Sequence, residues 1–187
     1  MNGRRLLAGS VLAALLAAAL WSARLWAYAH PKSATKLVEM PHFTLEIPID
    51  WVADISDDPR LKSDRYLALS ARLWNSDRGE DVLWRTFVVE ESTDATVASA
   101  VRFIQKDPGS AVRPDEVTLA NGIIAKTWVQ EEGFTEIVAY TRWYVFQMPN
   151  GRVYTGNHWL PTTIGARWRL ENQFRAVLGS LKVKEGR

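Results

Sequence analysis

Hydrophobic positions recur with three different patterns along this chain, and each predicts a different element. Leu6 to Trp21 is apolar apart from Gly9 and Ser10, and it follows the basic pair Arg4-Arg5. This is the layout of a charged n-region and an apolar h-region. The run falls short of the ~20 residues that a membrane span needs. Continued through Arg24 to Tyr28 it makes an uncleaved anchor, whereas Ala27-Tyr28-Ala29 offers an A-x-A site for cleavage before His30. Both readings stay open, and in either the arginines hold the N-terminus inside while the rest is exported. Residues 1–29 are therefore read as signal peptide or anchor, and 30–41, polar and without sustained period, as a tether.

Period two begins at Phe43, where Phe43, Leu45 and Ile47 alternate with Thr44, Glu46 and Pro48. This predicts a strand with one buried face, ended by a proline that cannot donate to a ladder, with Trp51 folding back over the core. Tyr66 to Trp74 and Val82 to Glu90 follow as a hairpin around the turn formers between them. Period 3.6 then appears in Val97, Ala100, Val101 and Ile104, a helix within Thr93 to Asp107, capped by Thr93 or Asp94 and stopped at Pro108-Gly109. Glu116–Leu119, Ile123–Gln130, Thr135–Met148 and Arg152–Leu160 read as a meander, with turns at Asn121-Gly122, Glu132-Gly133 and Pro149 to Gly151. Leu170, Phe174, Val177, Leu178 and Leu181 mark a terminal helix over Ala166 to Leu178. The predicted fold class is α+β: an antiparallel sheet of about seven strands with two packed helices, one domain over 42–184.

Composition changes this picture in two ways. Cysteine is absent, which excludes a lipobox, disulfides, thiolate metal sites and a cysteine nucleophile, so an exported domain rests on its core alone. Of 23 basic residues Arg4, Arg5 and Arg24 lie in the leader, leaving 20 against 21 acidic ones, with no basic run. Nucleic acid is thus not an expected partner.

Candidate chemistry is sparse. His42 precedes the first strand and His158 lies on the last, but no G-x-S-x-G frame accompanies them, and neither H-E-x-x-H nor a glycine-rich phosphate loop occurs. His158 beside Asn157 is the one candidate for acid-base work, and a hydrogen-bonded structural histidine is the preferred reading. Asp57-Asp58, Glu80-Asp81, Glu90-Glu91 and Glu131-Glu132 are adjacent pairs, which on a strand point to opposite faces and do not converge. No metal, cofactor or catalytic residue is expected.

Nine tryptophans are the compositional outlier, and the meander concentrates the aromatics: Trp128, Tyr140, Trp143, Tyr144, Phe146, Tyr154 and Trp159. Both alternation faces of Thr141 to Met148 are bulky, so helices cover both sides or an aromatic patch stays open. Trp128, Trp143, Tyr154 and Trp159 are the candidate partner-binding residues, with the loop Asp54 to Arg65 as the fallback surface.

A first strand of the form F-x-L-x-I-P-x-x-W (Phe43 to Trp51), a central amphipathic helix, a late meander and a terminal helix running into Gly179-Ser180-Leu181 resemble the Mog1/PsbP-like fold. Ile49-Asp50 stands where that pattern often has a glycine before the tryptophan. The resemblance spans Phe43 to Val183 and implies a small exported or secretion-associated bacterial domain, an accessory, adaptor or assembly protein without catalytic residues. The expected function is a noncatalytic, membrane-tethered interaction domain that binds an envelope or secretion-system protein, at the inner membrane or, if cleaved, in the periplasm. The alternatives are a carrier of an apolar ligand between sheet and helix, or an enzyme with an unrecognised site.

Overall fold

A computed structural model describes residues 3–29, 34–54, 65–75, 80–105, 112–134, 137–161 and 164–184; the side chains at 3–10, 12, 13, 29, 54, 72–87, 132–139, 164 and 165 are outside the description. In chain order the elements are α1 (Gly3–Ala29), β1 (Thr35–Glu39), β2 (Phe43–Pro48), β3 (Val52–Asp54), β4 (Tyr66–Asn75), β5 (Glu80–Glu91) and α2 (Val97–Ile104). There follow β6 (Asp115–Thr118), β7 (Ile124–Phe134), β8 (Ile137–Gln147), β9 (Val153–Trp159), α3 (Ile164–Gly179) and β10 (Lys182–Val183). The fold is α+β, with a seven-stranded antiparallel sheet in the order β3-β4-β5-β9-β8-β7-β6 and a three-stranded sheet in the order β1-β2-β10.

The meander forms as its turns dictate. Asn121-Gly122 and Asn150-Gly151 close β6–β7 and β8–β9 with the same geometry: only the glycine has positive φ, 82° and 86°. The amide of each glycine donates three residues back, Gly122 to the Leu119 carbonyl and Gly151 to the Met148 carbonyl. Each is a turn followed by a left-handed glycine, a position any side chain would strain. Glu132-Gly133, read as a turn, is instead continuous β7, paired to Ala139 and Val138. The pairing runs on to Phe134 opposite Ile137, and residues 135–136 are outside the described residues.

Three further readings need correction. The strand Phe43–Pro48 forms, but in the small sheet rather than the large one, whose edge is held by β3. Its alternation states that one face is buried, not which strand it pairs with. The segment 30–41 is not all tether: Thr35–Glu39 pairs with β2, with Val38 its one buried side chain, too little for a period to show. The central helix starts at Val97, because Thr96 and Ser99 make a reciprocal capping box while Ser92 and Asp94 bond each other before it. Its expected stop at Pro108-Gly109 and the pair Asp57-Asp58 lie outside the described residues.

The main core lies between α3, the small sheet and one face of the large sheet. Phe43, Leu45, Ile47, Trp51, Leu67, Leu69, Tyr144, Phe146, Tyr154 and the α3 stripe of Leu170, Phe174, Val177 and Leu178 all meet there, essentially without exposure. α2 covers part of the opposite face, where Ala100 packs with Trp128, Val145 and Val153.

α1 stands apart from both layers except at its end, where it packs against α3 and the Arg169 guanidinium lies 5.1 Å from the Tyr28 ring centroid. Its described side chains are exposed apart from half-buried Leu25; Val11, Leu15, Leu16, Leu20, Trp21 and Trp26 are between 56% and 73% accessible. Among the described residues no helix is long and apolar enough to cross a membrane.

Candidate functional site

Strand register decides which aromatics share a face. Trp128 on β7 stands opposite Trp143 on β8, which stands opposite Asn157 on β9; Trp159, two residues further along β9, is opposite Thr141. Trp128, Trp143 and Trp159 therefore form a diagonal ribbon across three strands on the face that carries α2. Trp128 and Trp143 stack with ring centroids 6.3 Å apart and planes 14° from parallel. Exposure rises along the ribbon: Trp128 is 3% accessible under α2, Trp143 is half-buried, and Trp159 is 40% accessible.

The neighbouring rung is polar. Gln130 faces Thr141 in the same register, and among the described residues Gln130 Oε1, Thr141 Oγ1 and the indole Nε1 atoms of Trp128 and Trp143 are buried with no hydrogen-bond partner. Each such group costs about 1–3 kcal/mol.

Tyr154, the fourth candidate, is on the other face. It is opposite Phe146, stacked on it at 6.0 Å, and meets Phe43 edge-on at 5.8 Å, wholly buried. Its hydroxyl lies 3.4 Å from Glu91 Oε2, and Arg152 pairs with that carboxylate at 3.3 Å. Burial first, then the Glu91 charge, pushes the phenol up to about 12. The structure thus unites three of the four candidates and separates Tyr154 as core. Of the fallback loop Asp54 to Arg65, residues 55–64 lie outside the described residues.

His158 is sealed beneath α3. Its ring stacks on Tyr144 at 6.1 Å, meets Phe174 edge-on at 5.2 Å, and places Nδ1 3.2 Å from the Trp159 carbonyl. Burial drives its pKa down to about 4, opposed by the Trp159 carbonyl and aided by Arg142. It is neutral at pH 7, with Nδ1–H donating to that carbonyl, and it is fully shielded from solvent. Glu90 and Glu91, adjacent on β5, point apart as a strand requires, Glu91 toward Tyr154. Among the described residues no group of three or more His, Asp or Glu could hold a metal.

One feature had no place among the candidate residues. Between α2 and the β6–β7 edge lies an open groove of about 640 Å³, lined by Val97, Ala98, Val101, Arg102, Arg113, Pro114 and Lys126. The signal for it was in the helix: Val97 to Ile104 has only Ser99 and Arg102 as polar residues, more apolar surface than one sheet contact can use.

No family model matches the chain, and no curated protein is close enough in sequence to count as a relative. A solved protein of Bacteroides thetaiotaomicron is similar in structure at 11% identity and TM-score 0.51, over 82% of this chain and 49% of that one. The chain thus spans about half the length of that protein, and the likeness concerns the fold alone. LpqN of Mycobacterium tuberculosis, described as involved in cell envelope biogenesis, aligns at 11% identity and TM-score 0.43 over 81% of this chain and 91% of its own.

Proposed function

We propose that this chain is a noncatalytic interaction domain of the bacterial envelope, exported to the outer side of the cytoplasmic membrane behind an N-terminal apolar segment that either stays attached or is cleaved before His30. The observation that carries the reading is the tryptophan ribbon, which ends in exposed Trp159 beside half-buried Trp143. Trp combines a large contact area with little entropy to lose, and anchors of this kind dominate protein interfaces. Export is supported by Arg4-Arg5 and the apolar run behind it, and by the exposed apolar side chains of α1, which water does not favour. The resemblance to Mog1/PsbP-like domains points the same way, toward an adaptor or assembly role.

The test is site-specific photocrosslinking in intact cells, with a benzophenone amino acid at position 159, at position 143, and at exposed Val52 on the far edge strand. A discrete adduct at 159 and 143 but not at 52, competed by wild-type chain and not by Trp159→Ala, is expected. The same adducts at all three positions, or none, would remove the ribbon as an interface.

A second reading has its own observation. The groove under α2 falls within the ~300–1,000 Å³ of small-molecule sites and has an apolar floor, which favours a carrier of an apolar ligand between helix and sheet.

A further inference from the structure

Seven residues of the α2 groove divide cleanly by chemistry. Val97, Ala98, Val101 and Pro114 form the floor, and Arg102, Arg113 and Lys126 contribute the polar part of the lining. Next to the lining residues in sequence, Val112 is 46% accessible and Ile124, two residues from Lys126, is 59% accessible. A helix apolar on nearly every side is ordinarily covered on every side, yet among the described residues α2 meets the sheet through Ala100 and its neighbours Val97, Val101 and Ile104.

The cations differ in what already holds them. Lys126 is bound by Glu116 at 2.6 Å. Arg102 donates from Nε to the Ala98 carbonyl at 3.3 Å, which fixes its side chain along the helix. Among the described residues neither Arg102 nor exposed Arg113 has a carboxylate partner. An apolar trough whose described polar lining is cationic, with two guanidinium groups that have no carboxylate partner among the described residues, matches a molecule with a hydrocarbon body and an anionic head.

We propose that the groove binds a single-chain anionic amphiphile, its alkyl chain along Val97, Val101 and Pro114 and its carboxylate-class head at Arg102 and Arg113. This rests on the carrier reading and adds the class of ligand and the residues that select it. Guanidinium suits the head because its fork engages both oxygens of a carboxylate at once.

The experiment uses the full chain in phospholipid nanodiscs with a palmitate bearing a mid-chain diazirine, and the matching fatty alcohol as the uncharged probe. After irradiation, adducts are mapped by mass spectrometry. The acid should mark peptides containing Val97–Arg102 or Arg113–Lys126 about tenfold more than the alcohol, the factor that one charge-assisted contact supplies. Arg102→Glu with Arg113→Glu should reduce acid labelling to the alcohol's level, and Val101→Trp, which fills the trough, should abolish both. Marking of α1 by probe dissolved in the bilayer should be unchanged in every variant, and each variant should keep the wild-type melting transition. Equal marking by acid and alcohol that Val101→Trp still blocks would defeat the anionic head while leaving a carrier. Marking confined to α1, or groove marking that survives Val101→Trp, would defeat the carrier as well.

Discussion

Acidification should destabilise this domain through His158 in a way one substitution can isolate. The folded ring, held neutral by burial, has a pKa of about 4 against 6.5 for a free histidine. Between those values the unfolded chain binds a proton that the folded chain does not, so stability falls as pH falls. Above about pH 6.5 neither state is charged and the full contribution is present; below about pH 4 it has been lost. The slope approaches about 1.4 kcal/mol per pH unit, and the whole change is about 3 kcal/mol. Arg142 on β8 opposes protonation in the same direction as burial, and its ion pair with Glu171 of α3 at 2.7 Å keeps that charge in place. Urea unfolding of wild type and His158→Phe, followed by tryptophan fluorescence from about pH 7.5 to about pH 3.5, separates this group from the carboxylates that titrate nearby. Phenylalanine fills the slot between Tyr144 and Phe174 and does not titrate, though it forfeits the bond to the Trp159 carbonyl. The wild-type advantage should therefore shrink by about 3 kcal/mol over the acid range. A difference that stays constant with pH would show that His158 reaches solvent and that α3 does not seal it.

Other outcomes follow from packing. Phe174→Ala should cost about 3–5 kcal/mol, since Phe174 lies in the main core against Tyr144 and His158; equal melting temperatures would place it outside the core. Tyr154→Ala should cost a similar amount, whereas Trp159→Ala should stay within about 0.5 kcal/mol, and comparable losses would mean that the ribbon is core throughout. Gly179→Ala places a methyl 2.6 Å from the Ala120 backbone nitrogen and should lower the melting temperature clearly; an unchanged value would show that the β6–β7 turn can move aside.

Local periodicity was enough for the α3 stripe, which is buried at every position the pattern named. It also sufficed for two turns, because Asn-Gly demands a reversal wherever strands flank it. Tyr154 was misplaced although the sequence held the answer: counting outward from Asn150-Gly151 sets it opposite Phe146, on the main-core face. The pairing of β2 was not readable, since its partners are a two-residue strand far along the chain and a segment with one buried residue. Nor was the groove, which arises where α2 stops covering the sheet, a matter of tertiary placement that no single element encodes.

β2 is flanked by strands from the two ends of the domain, and the bond between the Glu46 amide and Ser180 Oγ joins positions 134 residues apart. Until α3 and β10 have left the ribosome, the face formed by Phe43, Leu45 and Ile47 lacks their cover, and the core cannot close. A stable fold therefore waits on the segment that follows β9. A nascent chain that cannot fold early stays threadable, the condition under which a narrow translocation channel can accept it.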